Sequence, residues 1–170
     1  MESLPGAGSG SLDKLHSGEA WSQIRDKFYA TGDAAAVQSG LTAAIDRMSI
    51  EAFRPTLHAA FPMGLAMLAV GGYGRRELFP FSDIDIMILV ESESLPLSIK
   101  DSLSEFMRRL WDAGLRLSHS VRTVGECLEV HDQNIELNIS LLDRRFLAGD
   151  REVLAKVLTC HYNRFIRASA

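Results

Sequence analysis

Apolar positions recur at helical spacing along the first third of the chain and run together in the middle third. Trp21, Ile24 and Phe28 mark one side of a short helix predicted over 19–30. Asp33 is placed to cap a second helical stretch, 34–61, in which Leu41, Ile45, Met48, Phe53 and Leu57 share a side. Pro55 is a candidate break in it, because proline has no N–H and crowds the preceding turn. Two short apolar runs, 65–70 and 84–90, the second interrupted only by Asp85, predict core strands. Helical spacing returns over 97–111, with Ile99, Leu103, Phe106, Leu110 and Trp111 predicted inward and Lys100, Glu105 and Arg108 outward. Residues 115–123 alternate as a third strand, 124–131 predict a short helix, and 152–167 a final one. The stretch 133–147 is ambiguous, since Ile135, Leu137, Ile139 and Leu141 alternate as in a strand.

The join between the two apolar runs carries the chemistry. It reads Val-Gly-Gly-Tyr-Gly-Arg-Arg-Glu-Leu-Phe-Pro-Phe-Ser-Asp-Ile-Asp-Ile from Val70 to Ile86. Side chains alternate along a strand, so Asp83 and Asp85 share a face, roughly 6.5–7 Å apart. Paired carboxylates are hard oxygen ligands that suit magnesium. Gly71 and Gly72 present backbone amides with no Cβ over them, a surface fitted to phosphate oxygens. A phosphate cradle beside a metal-binding pair is equipment for in-line displacement at phosphorus. Ser82 has two readings, a phosphate donor or a strand cap. Arg75 has two, a phosphate ligand or a partner for Glu77, and Tyr73 either stacks on a nucleotide or packs on the core. The pattern is not a doubly wound dinucleotide-binding fingerprint, because no G-x-G-x-x-G opens a long helix here.

The spacing Gly-Gly, ten residues, Asp-x-Asp resembles the signature of the polymerase-β-like nucleotidyltransferases. The fuller block at 71–85 is similar to the N-terminal domain of the bifunctional uridylyltransferase/uridylyl-removing enzymes, which modify the nitrogen-regulatory protein PII. Two further blocks resemble the same family in the same order. One joins Leu110-Trp111-Asp112-Ala113-Gly114-Leu115 to His119-Ser120-Val121-Arg122-Thr123 and Glu126-Cys127-Leu128, and the other is Leu141 to Asp150. The chain departs from the family at Arg76, where glycine is common, and at Phe79, where histidine is frequent.

The resemblance implies an α/β (α+β) fold, a small mixed twisted sheet flanked by helices, with the site at the sheet edge holding Gly72 and Asp83. It also implies a helix across 133–147. It implies Mg²⁺ on Asp83 and Asp85, UTP as donor, and a tyrosine of a PII-type protein as acceptor. An adenylyltransferase acting on a protein such as glutamine synthetase, a stand-alone nucleotidyltransferase and a nucleotide-sensing module are the alternatives. The superfamily usually carries a third carboxylate on the third strand, which has none here. His119 and Arg122 stand there instead, with metal-bound water, nucleotide or acceptor as their possible contacts, and Arg122 is taken as nucleotide-binding with Gly71, Gly72, Arg75 and Ser82. Glu126, Glu129, Glu136 and Asp143 are candidates for a remote third carboxylate.

Composition narrows the partners. A chain of 170 residues, 46% apolar, can bury one core. It divides into a Gly/Ser-rich arm (1–18), a helical segment (19–62), the nucleotidyltransferase core (63–150) and a C-terminal helix (151–170). A net charge of −4 disfavours a nucleic-acid-wrapping surface. Cys127 and Cys160 make no disulfide or metal framework, and a reduced cytoplasmic setting is expected, with no signal peptide and no membrane span.

Overall fold

In the computed structural model, residues 18–91, 98–128 and 135–161 are described. The expected N-terminal arm, Glu129, the side chain of Glu136 and the last helix beyond residue 161 lie outside them. Helix α1 (Glu19–Thr31) ends at Gly32, whose φ of 67° lets its N–H reach Phe28 O at 2.7 Å. Helix α2 (Ala34–Phe53) starts where expected, the Asp33 carboxylate accepting from the Ala36 N–H at 3.0 Å. Pro55 does not break it. The chain widens into a π-helical turn (Arg54–His58), and the Thr56 hydroxyl donates to Ala52 O at 2.7 Å. Ala52 O thus keeps a hydrogen-bond partner while the chain stays on a helical path.

Strand β1 (Leu65–Ala69) leads through a four-residue helical turn, α3 (Gly71–Gly74), to β2 (Ile84–Val90). Helix α4 (Ser98–Asp112) crosses to β3 (Leu117–Thr123), and α5 (Val124–Leu128) and α6 (Ile135–Leu142) follow. Strand β4 (Arg145–Gly149) and α7 (Arg151–His161) complete the described chain. The sheet order is β3-β2-β1-β4, parallel only between β2 and β3. Both faces of β1 and β2 are covered, which is why they read as near-continuous apolar runs. Leu65, Met67, Ile86 and Ile88 pack on one side against Leu41, Ile45, Phe53 and Phe106. Ala66, Leu68, Met87 and Leu89 pack on the other against Cys127, Leu141, Val153 and Val157.

Three expectations are corrected. The helix predicted through residue 147 stops at Leu142, because Leu137 and Leu141 bury one turn apart while Asp143 and Arg144 turn the chain into β4. Trp111 is 49% exposed and Met107 is buried in its stead. At about 100° per residue, Trp111 lies some 120° around α4 from Ile99 and Met107 only about 80°. Finally, β1 and β2 are the inner strands, so Gly72 and Asp83 stand at the end of the sheet's centre rather than on an edge strand. No described helix is long and apolar enough to cross a membrane.

Candidate active site

Gly71 and Asp85 are brought together by the ladder that ends with the Val70 N–H donating to Asp85 O at 3.1 Å. Gly71 has φ of 57°, and a Cβ there would lie 3.2 Å from Asp85 Oδ2. The left-handed backbone and the close carboxylate both call for glycine. Gly72 is different. Its φ is not in the left-handed region, and no protein atom lies within 4 Å of where its Cβ would stand. The space above it is open, and among the described residues no hydrogen bond engages the amides of Gly71 and Gly72.

Asp85 shares its sheet face with Met87 and Leu89 and lines a pocket of about 340 Å³ with Gly71, Ser118, Ser120, Arg122 and Ser140. Asp83 is exposed, one residue before the strand. Burial raises the Asp85 carboxyl above its ordinary range, a hydrogen bond from the Ser118 hydroxyl opposes that, and the charge of Asp83 adds to it. No ion pair among the described residues involves either aspartate. Two coupled carboxylates, one half-buried and without a cation, are a donor set that fits a hard divalent ion. Among the described residues no cluster of three or more His, Cys, Asp or Glu adds to them.

The remaining candidates divide. Arg75 is ion-paired, its Nε 2.7 Å from Glu77 Oε2 and its Nη1 on Asp143. Ser82 caps the turn: its Oγ accepts from the Phe79 N–H at 3.1 Å. Tyr73 packs in the core with its hydroxyl 3.4 Å from Ser49 Oγ, and burial holds its phenol far above the usual range. His119 is exposed beside the pocket. Arg122 borders it with a buried Nε that has no hydrogen-bond partner and an Nη1 3.8 Å from Glu126. Glu126 itself accepts from the Thr123 N–H at 2.7 Å while the Thr123 hydroxyl accepts from its N–H, so it serves a capping box. The Thr-x-x-Glu spacing was its sequence signal.

Sequence reasoning missed Ser118, Gly74 and Arg145. Ser118 stands opposite Asp85 in the β2–β3 register. A Cβ on Gly74 would fall 1.6 Å from Asp143 O. Arg145 reaches the same turn from β4. Only the third glycine of Gly-Gly-Tyr-Gly hinted at any of them.

Arg76 has φ of 65°. That is the left-handed conformation in which a Cβ costs about 1–2 kcal/mol, which accounts for glycine being common there in the family it resembles. Arg76→Gly is expected to raise stability by about 1 kcal/mol, or 2–4 °C in Tm. A thermal melt that shows no gain would remove strain as the explanation.

No protein-family model matches the chain. Curated relatives do. The chain is 46% identical over 89 residues to a bifunctional uridylyltransferase/uridylyl-removing enzyme of Haemophilus influenzae (strain PittEE), covering 52% of this chain and 10% of the relative. It is 38% identical over 130 residues to that of Chromobacterium violaceum (76% and 15%) and 35% identical over 137 residues to that of Burkholderia lata (80% and 16%). A match of 137 residues takes in the middle of the chain, the glycine turn and both aspartates included. The chain spans 10% to 16% of the length of these three relatives. Over that span the chain is similar to the bifunctional uridylyltransferase/uridylyl-removing enzymes.

Proposed function

We propose that this chain is a Mg²⁺-dependent nucleotidyltransferase unit, moving UMP from UTP to a tyrosine hydroxyl of a PII-type protein in the cytoplasm and releasing pyrophosphate. The observation that carries the reading is the Asp85 carboxylate, beside Asp83, set against Gly71 on the wall of a pocket, with the next residue of the turn, Gly72, open above its Cβ position. Among the described residues no packing contact calls for glycine at Gly72, and a phosphate close to its amide would. Asp83 and Asp85 would hold the metal, which when bound supplies charge neutralisation at the phosphates and acidifies the acceptor hydroxyl. The amides of Gly71 and Gly72 donate to non-bridging phosphate oxygens. Ser118 orients the Asp85 carboxylate.

Arg122 supplies the anion contact farther along the pocket. Its unpartnered Nε is a buried donor, and such donors call for an acceptor. Arg122→Ala is expected to weaken Mg-UTP binding roughly 10- to 100-fold, the value of one charge-assisted hydrogen bond. Calorimetric titration giving an unchanged Kd would take Arg122 out of the site.

The sensing alternative draws on one observation, the lack of a third carboxylate beside the pair among the described residues. Incubation with labelled UTP or ATP, Mg²⁺ and candidate acceptors decides between them. Label from UTP on a PII-type tyrosine supports the proposal. Label from ATP alone indicates an adenylyltransferase, and binding without transfer to any acceptor indicates a sensor.

A further inference from the structure

We infer that Arg145, held by Asp46, is a positioning residue that sets the orientation of the α3 turn and with it the Gly71 and Gly72 amides; this rests on the turn being a phosphate cradle. The side chain lies under the turn, opposite the site. Its Nη1 and Nη2 donate to the Asp46 carboxylate at 2.8 and 3.0 Å, a two-pronged pair from β4 to α2. The same guanidinium donates to Tyr73 O at 3.1 Å through Nη2 and to Gly74 O at 3.3 Å through Nε. It also lies 5.2 Å from the centre of the Tyr73 ring.

A four-residue turn cannot orient itself. Its backbone bonds are few: Gly74 N–H to Val70 O, Arg75 N–H to Gly71 O, Arg76 N–H to Tyr73 O and Glu77 N–H to Gly72 O. The N-terminal end is fixed by Asp85 against Gly71. The C-terminal end is fixed by Arg145 on two carbonyls and by the Asp143 backbone against Gly74. The turn is short enough that tilting one end moves the amides at the other. Asp46 neutralises Arg145, so what the pair transmits is orientation rather than charge. Lysine cannot reproduce it, because one ammonium cannot span a carboxylate and two carbonyls in a plane.

The test measures equilibrium binding of Mg-UTP and of Mg-tripolyphosphate, a probe with no base, to the whole chain and to Arg145→Lys. The expected result is a tenfold or greater loss for both probes by the same factor. Leu41→Ala, a core variant in α2 that lines no part of the pocket, controls for loss of stability and should keep both affinities. If Arg145→Lys does not fold, Asp46→Asn releases the guanidinium from one side and the same loss is expected. Unchanged binding of both probes in a folded variant overturns the inference. Wild-type protein that binds neither probe overturns instead the phosphate reading on which it rests.

Discussion

Asp85→Asn is expected to abolish nucleotidyl transfer, by a thousandfold or more, while the protein stays folded. Losing a metal-binding carboxylate removes about 4 kcal/mol or more of transition-state stabilisation, and each 1.36 kcal/mol is tenfold in rate. The fold should tolerate the change for a physical reason. Burial and the neighbouring Asp83 already make the charged Asp85 unfavourable. Asparagine removes that charge, keeps an oxygen to accept from Ser118, and fits the same space against Gly71. Mg²⁺ with UTP should raise the Tm of the wild type by mass action and leave that of the variant nearly unmoved. The measurement is the melt with and without Mg-UTP, beside the rate of label transfer. A variant that transfers at near wild-type rate would show that Asp85 is no ligand.

Much of this was legible in the residues because it depends on local rules. The strands are marked by apolar runs, the cap at Asp33 by its side-chain chemistry, and the nearness of Asp83 to Asp85 by their spacing. The π-helical turn after Phe53 was not, since a proline reads as a break and nothing local marks the widened turn that accommodates it. β4 was hidden because its five residues, Arg145 to Gly149, follow a helix with no Gly or Pro between them. The parts of the site that were missed are all long-range. Ser118 depends on strand register, and Arg145 meets Asp46 across 99 positions. Even the negative result at Glu126 was local, and its capping box stood in the sequence.

Gly72→Ala and Gly74→Ala, two residues apart, are expected to fail in opposite ways. At Gly74 the added Cβ would meet Asp143 O at 1.6 Å and Ala69 O at 3.0 Å. Both are backbone atoms of strand-anchored segments, so the clash is relieved only by separating the turn from the chain entering β4, and with it the Arg145 contacts. A loss of about 4 kcal/mol or more is expected, at the far end of what single substitutions do, and thus a fall in Tm of roughly 10 °C. At Gly72 the added Cβ meets nothing, and alanine is the better helix former by about 0.5–1 kcal/mol. Stability should hold or rise slightly. Phosphate approach to the Gly72 amide should suffer instead, with Mg-UTP affinity and transfer falling at least tenfold. Thermal melts and nucleotide titrations on the two variants separate the roles. A Gly72→Ala protein that binds and transfers normally would leave the open space over that residue without a phosphate to fill it, and the proposed cradle with it.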